Sequence, residues 1–166
     1  MLDIGIDVKG LKEMEKALLE IAKEVGTKKA AGMMTLALKD GAKKYENSMR
    51  RNAPESSVTR FVKNKKGQRV TIRPGFLKSR IKIRGMTGKG KVTKRIGENV
   101  VSHVKVGVFK VPYIVPIEYG TSKMDAHPFI RKAFSTRTKQ VLHVINDRLA
   151  KRIAKAQQKI QKRPSK

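Results

Sequence analysis

Arg69-Val70-Thr71-Ile72-Arg73-Pro74-Gly75-Phe76-Leu77-Lys78-Ser79-Arg80-Ile81-Lys82-Ile83-Arg84 is the stretch whose reading decides the fold class of this chain. Val70 and Ile72 alternate with Arg69, Thr71 and Arg73, and Ile81 and Ile83 alternate with Arg80, Lys82 and Arg84. Alternation sends successive side chains to opposite faces of an extended backbone, so both halves read as half-buried strands. The same period returns at Val104, Val106 and Val108 around Lys105. Together these segments predict an antiparallel sheet with one apolar and one basic face, packed on helices with its back to solvent or to a neighbour. The clusters Lys63-Asn64-Lys65-Lys66-Gly67 and Gly85-Met86-Thr87-Gly88-Lys89-Gly90-Lys91 interrupt the strands and read as long, exposed hairpin loops.

On the N-terminal side the period becomes helical. Leu11, Met14, Leu18, Ile21, Ala22 and Val25 predict a helix over 8–25, with Asp7 placed to cap its start and Gly26 its end. A second helix is predicted over 28–51, from the stripe that runs from Ala30, Met33 and Met34 to Tyr45 and Met49, with Pro54 closing it off. A methionine-rich stripe at helical spacing is read as packed core rather than as an adaptable binding surface. Beyond Pro128, Ile130, Phe134, Val141, Ile145, Leu149, Ile153, Ala156 and Ile160 predict a helix reaching Gln161. That is longer than one small domain needs, so its distal half is expected to pack against a partner or to fray. The order helix, helix, sheet, helix makes an α+β domain spanning 1–166, with a basic tail from about Lys151 that is a candidate for disorder. That tail reads equally as a polyanion-binding segment or as a solvated, self-repelling end.

Composition bounds the chemistry. The 166 residues contain no cysteine, which removes disulfides, thiolate metal sites and cysteine nucleophiles together. Lys and Arg number 40 against 13 Asp and Glu, and the net charge of +27 will attract any polyanion. Neutralising phosphate is sequence-independent, however, and aromatic residues make up only 5% of the chain with no tryptophan, so stacking platforms for single strands are missing. Contact with DNA is therefore expected at phosphates alone, with Lys63, Lys65, Lys66, Lys89 and Lys91 as candidate contacts. The opening Met1-Leu2-Asp3-Ile4-Gly5-Ile6-Asp7 has no basic segment leading into an apolar run, so no secretory leader is expected. No stretch approaches the length of an apolar membrane span, and a soluble chain made in a cytoplasm, without a membrane partner, is expected.

Gly85-Met86-Thr87-Gly88-Lys89-Gly90-Lys91-Val92 matches a P-loop until its last position, where Val92 has no hydroxyl for magnesium, and the following Thr93-Lys94-Arg95-Ile96-Gly97 is a poor helix start. A hairpin turn is the preferred reading. Glu118 stands in a locally apolar stretch and is read as a salt-bridge partner rather than a shifted catalytic carboxylate. His103, His127 and His143 show no metal-ligand spacing, and no serine sits in a nucleophile elbow. No catalytic residue, cofactor or metal is assigned, and an enzyme is not expected.

The most distinctive segment is Ile117-Glu118-Tyr119-Gly120-Thr121-Ser122-Lys123-Met124-Asp125-Ala126-His127-Pro128-Phe129-Ile130-Arg131-Lys132-Ala133-Phe134. It resembles the signature of the phage tail-component family of head-tail joining or neck proteins, in which a hydrophobic strand with an acidic residue leads to an aromatic residue, Gly and Thr-Ser. A small residue and Pro-Phe then open the last helix. Asn52-Ala53-Pro54 and Gly75-Phe76-Leu77-Lys78-Ser79-Arg80-Ile81 fall in the matching order. The chain departs from the pattern in a longer insertion between Pro54 and Gly75, in Pro116 within the expected strand, and in its basic tail.

The residues supply their own physical reasons: Gly120 permits a positive φ or a close backbone approach, Thr121 and Ser122 can satisfy loop amides, Pro128 suits a helix start, and Phe129 and Phe134 are expected to anchor the last helix to the sheet. The resemblance implies a closed homo-oligomeric ring in the virion neck, assembled in the host cytoplasm, through which the genome passes. Its partners would be other neck, connector and tail proteins, with non-specific contact to genomic DNA. Glu118, Tyr119, Gly120, Thr121, Ser122, Pro128 and Phe129 are the candidate subunit-interface or signature residues. The lysine-rich tips and basic tail are expected to order on docking to acidic neck proteins or DNA. The rival reading is a basic, non-sequence-specific nucleic-acid-binding protein with no virion role.

Overall fold

The computed structural model describes residues 8–63, 67, 69–87 and 102–162. Two helices, α1 (Val8–Val25) and α2 (Thr27–Asn52), lead into strands β1 (Arg60–Lys63) and β2 (Arg69–Ile72). A single helical turn, α3 (Phe76–Ser79), precedes β3 (Ile81–Thr87), which pairs with β4 (Ser102–Val108). The short α4 (Ile114–Tyr119) and the long α5 (Phe129–Gln161) complete the chain. The α+β class and the long C-terminal helix are as the periodicity predicts, and Gly26 leaves α1 at φ 90°. Among the described residues no helix is long and apolar enough to cross a membrane.

Two features differ from the prediction. The strands form two separate two-stranded antiparallel sheets rather than one. β1 and β2 pair with Phe61 opposite Thr71 and Lys63 opposite Arg69. Between β2 and β3, Gly75 turns the chain at φ 75° into α3, whose Leu77 is buried, so β3 does not follow as the next strand of the same sheet. The strand expected before Glu118 is helix α4. Pro116 cannot donate to a strand ladder but is accommodated in the first turn of a helix, where its missing N–H has no intrahelical acceptor. Its carbonyl accepts the Gly120 N–H at 2.8 Å.

The chain forms two compact units. The first takes α1, α2 as far as Gly41, β3 from Gly85, β4 as far as Val104, and α5 from Gln140. Its core joins Ile21, Ala37, Leu149 and Ile153, with Leu18, Met33, Ala156 and Ile160 packed around them. The distal half of α5 is thus held by α1 and α2 of its own chain, and the segment expected to await a partner or to fray is helical to Gln161. The buried Thr35 hydroxyl donates to the Ala31 carbonyl at 2.9 Å and lies 2.8 Å from Ser102 Oγ, so a hydroxyl inside this core is satisfied.

At Gly41, α2 meets α5. A Cβ there would run into Ile145, 2.9 Å from its Cδ1, and would lie 3.2 Å from the Val141 carbonyl oxygen. Alanine gains about 1 kcal/mol of helix propensity over glycine, whereas overpacking costs about 1–3 kcal/mol. Gly41→Ala is therefore expected to forfeit the propensity gain and to lower the unfolding free energy by up to about 2 kcal/mol in urea titration. In an Ile145→Ala background the same change is expected to be neutral or stabilising. A single variant stabilised by about 1 kcal/mol, the full propensity gain, would contradict the close approach.

The second unit takes the rest of α2, β1, β2, α3, β3 as far as Arg84, β4 from Lys105, α4 and α5 as far as Lys139. Met49 and Ile81 are fully buried in its core with Ala53, Leu77, Val111, Phe129 and Ala133. The methionine stripe of α2 is core at Met33 and Met49, while Met34 is exposed. Phe129 anchors α5 as expected, but Phe134, 38% exposed, does not complete a helix-to-sheet contact. Its ring stacks on Tyr45 of α2 at 4.4 Å, and Tyr45 is held in turn by its hydroxyl contact to Thr138 at 2.9 Å. Arginines cover the faces of four other rings, Arg69 on Phe61, Arg80 on Phe76, Arg84 on Phe109 and Arg131 on Tyr119, which shields aromatic surface beside the basic strands.

Candidate functional site: the Glu118 corner

The signature residues come together where α4 turns into α5. A helix opens with N–H groups that have no intrahelical acceptor, and a carboxylate near them is favoured by the helix dipole. Glu118, at the end of α4 and only 4% exposed, fills this role from twelve residues upstream. One carboxylate oxygen accepts the Ile130 N–H at 3.0 Å, and the other accepts the Arg131 N–H at 2.8 Å. Arg131 also reaches back to Glu118, its Nη2 donating to the Glu118 backbone carbonyl at 2.8 Å and its Nε lying 3.4 Å from the carboxylate. The salt bridge expected of Glu118 is present, but the two backbone donors make the residue chiefly a cap.

The loop between the two helices is closed by backbone bonds. Thr121 and Met124 exchange N–H and carbonyl at 2.8 and 3.3 Å, and Thr121 Oγ1 accepts the Lys123 N–H at 3.2 Å. The His127 N–H donates to the Ile117 carbonyl at 2.7 Å, tying the loop's exit to α4. Gly120 sits at φ 77°, and a Cβ on it would be 2.9 Å from the Met124 carbonyl oxygen and 3.0 Å from Ala126 N. Ser122 is exposed at the turn, and the Pro128 carbonyl accepts the Lys132 N–H at 3.3 Å just before the buried Phe129.

Against this corner lies an open groove of about 690 Å³ whose walls include Val58, Phe76, Tyr113, Ile117, Met124 and His127. The lining is chiefly apolar. Burial pushes the Tyr113 phenol above its ordinary value, against a lowering pull from the Arg80 guanidinium. Tyr119 is 64% exposed beneath Arg131, and Val115 on α4 and Met124 at the groove wall are 60% and 40% exposed. The arrangement engages both Glu118 oxygens and leaves Val115, Tyr119 and Met124 exposed beside a braced loop.

Of the lysine candidates, Lys63 ends β1, and Lys65, Lys66, Lys89 and Lys91 lie outside the described residues, as does the P-loop-like stretch from Gly88 onward. Arg131 and the groove are what sequence reasoning missed. Arg131 follows Glu118 at a spacing that belongs to no helix or strand period, and the groove draws on four separate stretches of chain. Among the described residues no group of three or more His, Asp or Glu is placed to hold a metal ion. Comparison with protein-family models, with curated proteins and with solved structures finds no match.

Proposed function

We propose that this chain is a structural subunit of the tailed-phage neck, forming a ring that joins the DNA-filled head to the tail, and that it carries no catalytic activity. The observation that supports the reading is the Glu118 corner: Val115 on α4 and Met124 in the loop that follows are exposed, and capping and backbone bonds brace that loop beside an apolar groove. A net charge of +27 opposes association of copies, so a contact between them needs apolar surface to bury, and Val115 and Met124 beside the groove supply it. The occupant is a neighbouring copy in head-to-tail contact, the geometry that closes rings. The segment carrying the family resemblance is the one that builds this corner.

The test is electron microscopy of lysates from the parent phage with this reading frame stopped early. Full heads and separate tails are expected, with joined particles restored by a wild-type complementing copy. A copy carrying Val115→Asp and Met124→Asp, both at exposed positions, is expected to fold with an unchanged melting curve and to leave heads and tails unjoined. Normal joined particles in the absence of the chain would overturn the neck role and leave the basic nucleic-acid-binding reading in its place.

A further inference from the structure

We propose that the distal half of α5 is a docking strip for the phosphate backbone of double-stranded nucleic acid, formed by Arg148, Lys151, Lys155, Lys159 and Lys162. These residues follow one another at steps of three or four, so they share one side of the helix, and all are exposed. At 1.5 Å per residue the strip is about 21 Å long, with a cation about every 5 Å. The side turned inward carries Leu149, Ile153, Ala156 and Ile160, packed with α1 and α2, so the strip is fixed in its outward direction.

The charges are sorted, which a merely solvated surface does not require. The other exposed positions of the same segment are Ala150, Ala154, Gln157, Gln158 and Gln161, all uncharged. Arg152, on the flank, is committed to Asp40 at 2.7 Å. Within the strip only Lys151 has an acidic partner among the described residues, Asp147 at 3.0 Å, in an exposed pair that a phosphate can displace. Asp147 is the one acid in α5. Favourable interaction with the helix dipole accounts for Lys159 in the last turn and Lys162 just past it, but not for Arg148, Lys151 and Lys155 further up. Like charges at these spacings repel each other along a helix, and a polyanion relieves that repulsion.

Duplex nucleic acid fits better than an acidic protein segment because its charges recur at a fixed interval. A strand presents a phosphate about every 3.4 Å along the axis, so a strip of this length faces about six of them. The exposed side of the segment carries no aromatic residue to stack on bases, and contact is with phosphates whatever the sequence. This site does not rest on the ring reading: it holds for a free subunit as well as for an assembled one.

The test is fluorescence anisotropy of the full chain with labelled 20-base-pair duplexes of two unrelated sequences, titrated across a salt series. Equal affinity for both, falling linearly in log–log form with salt, is expected. Replacing Lys155→Gln and Lys159→Gln together is expected to reduce the salt slope by about 1.8, at about 0.9 for each phosphate that is no longer neutralised. The comparator Lys132→Gln with Lys139→Gln removes the same charge from exposed positions nearer the start of α5 and is expected to leave the slope unchanged. Equal effects of the two pairs would overturn the proposal in favour of net charge alone. Binding of labelled polyglutamate that depends on Lys155 and Lys159, without duplex binding, would overturn it in favour of an acidic protein partner. Melting curves of both variants verify that they fold.

Discussion

Replacing Glu118→Ala is expected to lower the unfolding free energy by about 2–4 kcal/mol, measured by urea titration. The change leaves the N–H groups of Ile130 and Arg131 without their acceptor, and each donor stranded in a part-buried site costs about 1–3 kcal/mol. Loss of a helix cap by itself costs about 0.5–2 kcal/mol, so the total stands above that of an ordinary cap. The Arg131 guanidinium adds little, since its side chain is half exposed and solvent screens the pair. Glu118→Gln keeps one acceptor oxygen but turns an amide N–H toward the second donor, and a loss of about 1–2 kcal/mol is expected. Hydrogen exchange gives a local readout: the Ile130 and Arg131 amides lose protection in Glu118→Ala. A variant within about 0.5 kcal/mol of the parent, with those amides still protected, would show that the carboxylate does not support α5.

Gly120→Ala is expected to cost about 3 kcal/mol, by two separable effects. Gly120 adopts φ 77° with ψ −180°, a region that residues with a Cβ scarcely enter, at a conformational cost of about 1–3 kcal/mol. The added carbon also meets the Met124 carbonyl oxygen at 2.9 Å and Ala126 N at 3.0 Å, and both are backbone atoms tied into the loop. Gly26→Ala separates the two effects. Gly26 has φ 90° with nothing within 4 Å of the added carbon, so it bears the conformational part alone, about 1 kcal/mol. If Gly120→Ala is no more destabilising than Gly26→Ala, the loop does not close as tightly as the distances state.

Glu118 and Gly120 both act through the backbone of the corner. Glu118 is buried and Gly120 only partly exposed, and both fix the direction in which α4 hands the chain to α5. Rigidity of this kind lowers the ordering cost of association, which is why a braced corner with a few exposed apolar side chains suits the contact proposed for it.

Much of the fold is legible from hydrophobic periodicity. The reading of α1 over 8–25 coincides with the helix, that of α2 differs by one residue at each end, and α5 ends at Gln161 as predicted. The alternating apolar residues Val70, Ile72, Ile81, Ile83, Val104, Val106 and Val108 lie in strands, whereas Arg73 and Arg80 fall just outside them, on either side of the turn at Gly75. The corner is legible in part: Glu118, Gly120, Pro128 and Phe129 stand out in the sequence, and Gly120 for the reason observed, but the segment that forms α4 reads as a strand. Ile114, Val115 and Ile117 have high strand propensity, and such propensity yields when a proline within the segment denies it a ladder.

The sequence by itself determined the class of each long element, the charge, the absence of thiol chemistry and the position of the corner, because periodicity and composition act locally. The tertiary structure decided the rest. Two sheets replace one, since pairing depends on where the turn at Gly75 and the buried Leu77 send the chain. Arg131 and two backbone amides meet Glu118, and Phe134 meets Tyr45, across distances in sequence that no period spans. The end of α5, equally a free tail or a polyanion-binding segment when read from residues, became a fixed helix with its cations sorted to one side. Burial of Ile153 and its neighbours selects which side of a helix is left facing outward, and that selection is a property of the packed core.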